Sequence, residues 1–138
     1  MAAVVKFDSF AEAVYEKVHN MGSDALTVAL TTNANVPAAT DTNLAALTEI
    51  AYTNLSTRAI TTASSAQTSG TYKLTLTDLT LTASGGAVAT FRHIVVYNDT
   101  AAADELCWRY DYGSDLTLGE DESLLLDFDG SAGAITHA

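Results

Sequence analysis

The most regular hydrophobic pattern in the chain lies between residues 69 and 98. Apolar and polar residues alternate through Tyr72–Leu76 and again through Leu79–Thr82, the period of a strand with one buried face. The break at Ser84–Gly86 contains adjacent glycines, which suit a tight hairpin turn. The run Ile94–Tyr97 then has the β-branched and aromatic residues of a buried strand. The pattern predicts a β-meander whose apolar faces are covered by a second sheet.

A helical pattern is convincing only in residues 8–20. The apolar residues of this segment lie four apart on one side of the helix, namely Phe10, Val14 and Val18. Asp8 or Ser9 is the predicted N-cap, and Glu12 completes a capping box with Ser9. The helix is predicted to end at Asn20, and we expect it to cover one end of a β-core.

Shorter runs with the strand period predict the remaining strands, at 25–32, about 58–63, 105–112, 116–118, 124–128 and 134–138. Turn-forming residues such as Gly113–Asp115 separate these runs, residues 33–43 are predicted to be a loop, and residues 44–50 allow a helical turn. About eight short antiparallel strands separated by turns predict a β-sandwich or jelly roll. The predicted fold is therefore mainly β with one amphipathic helix.

The chain of 138 residues is long enough to bury a core as one domain. We assign that domain to residues 8–138 and an N-terminal arm to residues 1–7. No apolar run approaches the roughly 20 residues of a membrane span. The start of the chain lacks the pattern of a secretory signal, and the single cysteine, Cys107, has no intrachain partner for a disulfide. We therefore expect synthesis in the cytoplasm.

Seventeen acidic residues against six lysines and arginines give a net charge of −11. The basic residues are spread singly along the chain, so no basic stripe is available to neutralise phosphates. Nucleic acid and anionic membranes are thus not expected partners. A high net charge of this kind keeps a protein soluble.

Acidic residues are concentrated between Asp99 and Asp129. Asp127 and Asp129 flank Phe128, so on a strand they share one face and are the weak candidates for a Ca²⁺ site. Their spacing is not that of a known calcium loop, and a solvated acidic rim is the default interpretation of such a run. We predict no metal and no cofactor.

Catalytic signatures are absent from the sequence. The histidines His19, His93 and His137 are far apart, no G-x-S-x-G motif occurs, and no phosphate-binding glycine loop is present. Cys107 lies in an apolar strand, where a buried, inert thiol is expected. Aromatic residues alternate with other residues on this strand and are predicted to be core residues rather than a sugar platform, namely Trp108, Tyr110 and Tyr112. We therefore predict no catalytic residue and no enzyme.

Three blocks of the sequence resemble small virion proteins of tailed bacteriophages. They are KFDSFAEAVYEKVHNMGSDALTVALTTNANV at residues 6–36, SSAQTSGTYKLTL at residues 64–76 and TASGGAVATFRHIVVYNDT at residues 82–100. Within that group the chain looks most like a capsid decoration, or cement, protein. The resemblance covers nearly the whole chain but contains no motif from which site residues can be transferred.

The resemblance implies a structural protein on the outer capsid surface that contacts the major capsid protein and copies of itself, as a dimer or trimer. The N-terminal arm is the expected contact, through Val4, Val5, Lys6 and Phe7. Two alternatives remain open at this point. One is a tail-tube or tail-tip subunit, and the other is a carbohydrate-binding adhesin module.

Overall fold

The computed structural model describes residues 3–138 and shows a mainly β protein with antiparallel sheets and one short α-helix. Within these residues there are ten strands, two more than the approximate number predicted. The strands are β1 Val5–Lys6, β2 Leu26–Thr31, β3 Ala59–Ile60, β4 Thr62–Thr68, β5 Thr71–Leu76, β6 Leu79–Thr82, β7 Phe91–Asn98, β8 Leu106–Leu116, β9 Ser123–Leu126 and β10 Ile135–His137. The helix α1 is Phe10–Tyr15, and Leu44–Ala46 forms a 3-10 turn.

The fold is an antiparallel β-sandwich. One layer is a five-stranded sheet in the order β1-β8-β7-β2-β3, and the other consists of a three-stranded sheet, β10-β5-β4, beside the pair β6-β9. The main core lies between the layers, where Val28, Ile94 and Trp108 of the large sheet share one cluster with Leu74 and Leu126 of the smaller sheets. The predicted fold class is confirmed.

The central strands of the large sheet are buried on both faces. All six residues of β2 are buried, although its sequence alternates apolar residues with threonine and alanine. The outer face carries a second cluster that includes Phe7, Ala29 and Val95, and Leu44 and Leu47 pack against it from the long loop. The alternation predicted one buried face because it could not show that this loop covers the other.

A β-bulge at Cys107 changes the direction of the side chains in β8. Trp108 pairs with Val96 but Leu106 pairs with Tyr97, so Cys107 has no direct partner. Cys107 and Trp108 both enter the main core, and Leu106 enters the outer cluster. Residues two apart on a regular strand share one face, but Leu106 and Trp108 lie on opposite faces because one extra residue shifts the alternation.

The predicted β-meander is also wrong. Its strands β5, β6 and β7 all exist, but each belongs to a different sheet. Gly85 and Gly86 have positive φ values of 80° and 148°, as a turn at this point requires. The turn leads from one layer to the other rather than closing a hairpin. Alternation shows which face of a strand is buried but not which strand pairs with it.

The helix is shorter than predicted and ends at Tyr15 rather than Asn20. Ser9 is the N-cap residue but makes no side-chain cap hydrogen bond, so the predicted capping box does not form. Lys17 has a positive φ of 66°, and the amides of Lys17 and Val18 donate to carbonyls of the preceding turn. This is the Schellman geometry of a helix end, with lysine at the position where glycine is usual.

Two segments that the sequence does not predict as strands are strands in the structure. Gly113–Asp115, predicted as a turn, lies inside β8, and residues 64–68, which follow the strand predicted at about 58–63, lie in β4. Both segments are mostly exposed and contain few large apolar residues, so their strand conformation leaves no periodic signal in the sequence.

Candidate functional site

A cleft with a volume of about 1010 Å³ lies between α1 and the three-stranded sheet. We call it the helix–sheet cleft. Phe10, Met21 and Ile135 are buried side chains that contribute to its lining, and all three belong to the main core. The register of β10 on β5 pairs His137 with Tyr72, and both of these residues line the cleft. The cleft is therefore a gap between the helical segment and the three-stranded sheet of the same chain.

Aromatic and hydroxyl groups define its edges. The Tyr15 hydroxyl lies 3.5 Å from Nε2 of His137, and the two rings meet edge to face with centroids 6.2 Å apart. Tyr15 is nevertheless 72% exposed, so it borders the opening rather than filling the interior. On the sheet side, the hydroxyls of Ser65 and Tyr72 are 2.9 Å apart and hydrogen-bonded. The cleft thus combines an apolar interior with polar groups at its rim.

The charged side chains that line the helix–sheet cleft are basic, whereas the protein as a whole is acidic. Lys6 and Lys17 line it, and both side chains are exposed. Among the described residues that line the cleft, none is an Asp or Glu. In a chain with 17 acidic and six basic residues, this is a marked local excess of positive charge.

A buried polar cluster behind the cleft connects the end of the helical segment to the large sheet. The side-chain amide Nδ2 of Asn98 lies 2.9 Å from Nδ1 of His19 and donates to Asp24 at 2.6 Å. The other ring nitrogen of His19 lies 3.9 Å from the sulfur of Cys107. Oδ1 of Asn98 accepts hydrogen bonds from the amides of the turn after β7. These contacts hold the turn after α1 against β7.

The electrostatics of this cluster favour a structural role. Burial lowers the pKa of His19 from 6.5, although hydrogen bonding to the Leu106 backbone and the charges of Glu105 and Asp24 oppose that shift. Burial also raises the pKa of the Cys107 thiol far above its ordinary value, so the thiol stays protonated at neutral pH. A protonated, fully buried thiol is a poor nucleophile.

The sequence did not predict this cluster or the cleft. The three histidines are far apart in the sequence, yet His19 and His137 line the same cleft, whereas His93 does not. His93 lies on β7, and burial lowers its pKa as well. A separation of more than 100 residues along the chain leaves no local pattern that could have indicated the meeting of His19 and His137.

The acidic pair Asp127 and Asp129 lies beyond the end of β9, not on a strand as predicted. An oxygen of Asp127 accepts from the amide of Asp129 at 2.8 Å, and an oxygen of Asp129 accepts from the amide of Ala132 at 2.9 Å. These contacts stabilise the turn. Within residues 3–138 no group of three or more His, Cys, Asp and Glu side chains is arranged to hold a metal ion.

The aromatic residues of β8 divide between core and surface. Trp108 and Tyr110 are buried as predicted, and the indole nitrogen of Trp108 donates to the Tyr110 hydroxyl at 3.1 Å. Tyr112 is 41% exposed, so the prediction that it is a core residue is wrong. With two of the three aromatic rings buried, they do not form a common surface for stacking on sugars.

The N-terminal residues predicted to contact a partner lie in different environments. Val5 and Lys6 are exposed and pair with β8 of the same chain. Val4 is partly buried against the main core, and Phe7 is 2% exposed within the outer cluster. Of these four residues, only Val5 and Lys6 are therefore exposed. The beginning of the predicted arm, residues 1–2, lies outside the described residues.

The strand β4 forms an edge of the three-stranded sheet. In the described part of the chain it pairs with β5 alone, so its other side carries free backbone groups. Its sequence, TASSAQT, contains no charged residue and no proline. It is also mostly exposed, and Ser65 near its middle reaches the helix–sheet cleft.

Comparison with known protein families, curated proteins and solved structures gives no significant match. Within residues 3–138, no helix has the length and apolar character needed to cross a membrane.

Proposed function

We propose that this chain is a non-enzymatic structural protein that acts by binding its neighbours in a large assembly. More specifically, we propose a capsid decoration protein of a tailed bacteriophage, located on the outer shell and in contact with the major capsid protein and with copies of itself. The bacteriophage assignment rests on the sequence blocks at residues 6–36, 64–76 and 82–100.

The observation that carries the assembly role is the open edge of β4. Exposed edge strands attract other strands, and proteins that stay monomeric usually protect them with lysine, proline or a covering segment. β4 has seven residues and none of these residue types, although a register shift between Thr62 and Ser64 makes its first part irregular. An added strand would satisfy its free backbone groups.

The charge distribution supports pairing between copies at this edge. Two copies of a protein with a net charge of −11 repel each other over most of their surface. Two β4 strands that pair antiparallel bring no charged side chains of β4 opposite each other. Such a two-fold contact would give a dimer, one of the two oligomeric states expected from the sequence.

The polar clusters support the non-enzymatic part of the proposal. His19 and Cys107, whose side chains could act as a general base and a nucleophile, are both buried. His19 contacts Asn98 through one ring nitrogen and Cys107 through the other. Neither has the exposed, activated environment of a nucleophile or general base.

The test uses phage particles assembled with and without this chain. We expect particles that lack it to open at a lower temperature than complete particles, because each copy adds contacts between shell subunits. When the salt concentration is lowered stepwise, they should also open earlier, at an ionic strength where complete particles are still closed. Adding the purified protein back should restore the stability of the shell. Equal stability of the two kinds of particle would contradict the decoration role.

A further inference from the structure

The helix–sheet cleft has two properties that the proposed function does not use. Its interior is apolar and lined in part by the buried side chains of Phe10, Met21 and Ile135. Its lining also includes Lys6 and Lys17, whose side chains are exposed, and the described lining contains no Asp or Glu side chain. An apolar cavity with a few charged groups at its mouth is the usual form of a small-molecule site.

The size and position of the cleft restrict what fits it. Its volume of about 1010 Å³ is at the upper end of the range for small-ligand pockets. It lies between α1 and the three-stranded sheet of the same chain. A flexible apolar chain can follow the buried apolar side chains of this lining.

The charge of the rim selects the head group. The whole protein, at −11, favours cations and repels anions. The two lysines at the cleft create a local exception, and a carboxylate or sulfate beside either of them would gain a charge-assisted hydrogen bond. A cationic head group at the same place would meet like charges.

We propose that the helix–sheet cleft binds an amphiphile with a linear apolar chain and one anionic head group, of which a long-chain carboxylate is the simplest example. The chain lies against Phe10, Met21 and Ile135, and the head group lies beside Lys6 or Lys17. This inference goes beyond the proposed function and does not depend on it.

The experiment measures binding of dodecanoate and of dodecyltrimethylammonium by isothermal titration calorimetry, below the concentrations at which they form micelles. We expect dodecanoate to bind with one site per chain and the cationic amphiphile to bind at least tenfold more weakly. Decanoate should bind about fifteenfold more weakly than dodecanoate, because each buried methylene changes the affinity about fourfold.

Three substitutions locate the site. Lys17→Gln and Lys6→Gln together should weaken dodecanoate binding about fivefold, the loss expected for partly exposed charge pairs. Lys73→Gln is the matched control, because Lys73 is exposed, changes the net charge by the same amount per substitution, and lies outside the cleft with its ammonium on the Ser131 carbonyl. It should leave binding unchanged.

Three results would overturn the proposal. They are a preference for the cationic amphiphile, an equal effect of Lys73→Gln and Lys17→Gln, and an affinity that does not depend on chain length. Sedimentation measured in the same buffers gives a fourth. If dodecanoate acts only by dissociating a dimer, the cleft is occupied by a second copy of the chain and the proposal is wrong.

Discussion

At the residue scale, the backbone of Lys17 shows how the chain leaves its helix. Lysine is held at a φ of 66°, where residues with a Cβ atom are disfavoured and glycine is not. The hydrogen bonds of Lys17 and Val18 to the preceding turn fix this conformation. It turns the chain back so that His19, two residues later, is buried beside Asn98.

Lys17→Gly should therefore stabilise the protein. We expect an increase of about 0.5–1 kcal/mol in the free energy of unfolding, since relief of the left-handed strain exceeds the entropy that glycine adds to the unfolded chain. Lys17→Val is the matched comparison and should destabilise the protein, because a β-branched side chain fits this conformation worst. Urea unfolding followed by circular dichroism measures both changes, and a loss of stability in the glycine variant would contradict the account.

His19 should make stability depend on pH. Because burial lowers its pKa in the folded state, the unfolded chain binds a proton there at a pH where the folded chain does not. The contribution of His19 is therefore complete above its unfolded pKa of about 6.5 and is lost as the pH falls below it.

The test compares the wild type with His19→Gln, which cannot titrate at this position. The difference in unfolding free energy between the two proteins should be larger at pH 7 than at pH 5, because only the wild type loses stability through this group. His93 is present in both proteins and cancels. A difference that stays constant between these pH values would show that the protonation of His19 is not linked to folding.

Several buried residues could be predicted from the sequence, because burial follows local periodicity where a strand or helix is regular. Phe10, Trp108 and Tyr110 are buried as expected. Val18 and Tyr112 are partly exposed, at 36% and 41%, because α1 ends before Val18 and the outer part of β8 is exposed beyond Tyr110.

At the element scale, the sequence predicts most strands but not their partners. β2, β7 and β10 lie close to their predicted positions, yet β5, β6 and β7 do not pair with each other. Pairing depends on contacts between distant segments, such as β6 with β9, and one-sided alternation is compatible with many partners.

The helix–sheet cleft shows the same limit. The helix that carries Phe10 and the final strand that carries Ile135 and His137 were each predicted from local patterns. These two elements are more than 100 residues apart in the sequence. That they meet at one cleft, and that Lys17 lines it, is seen only in the folded structure.

The edge of β4 leads to a prediction about association. Ala66 is exposed in the middle of this strand, and Ala66→Lys places a charge on each copy at a two-fold strand pair. We expect the substitution to weaken self-association at least tenfold, because like charges on paired strands repel and lysine protects an edge. Sedimentation equilibrium measures the change.

The control for this experiment is Ala103→Lys, which adds the same charge in an exposed turn away from β4. It should leave self-association unchanged. If both variants associate as the wild type does, or if the wild type remains monomeric at all concentrations, the two-fold β4 contact is wrong.

At the scale of the whole molecule, the residues that stabilise the sandwich lie inside it, and the charged residues lie on its surface. The two core clusters lie on either side of the large sheet, and the buried polar groups around Asn98 link it to the helical segment. The surface carries a strong negative charge interrupted by the neutral β4 edge and the basic rim of the cleft. These two regions are where a neighbour or ligand meets the least repulsion.

The central claim is that this chain occupies the outer shell of a phage head, and cryo-electron microscopy of intact particles tests it most directly. The account predicts density for the sandwich on the outside of the shell, between capsid subunits, with the edge of β4 covered by another strand. Density in the tail, or no density for this chain in the particle, would contradict the account.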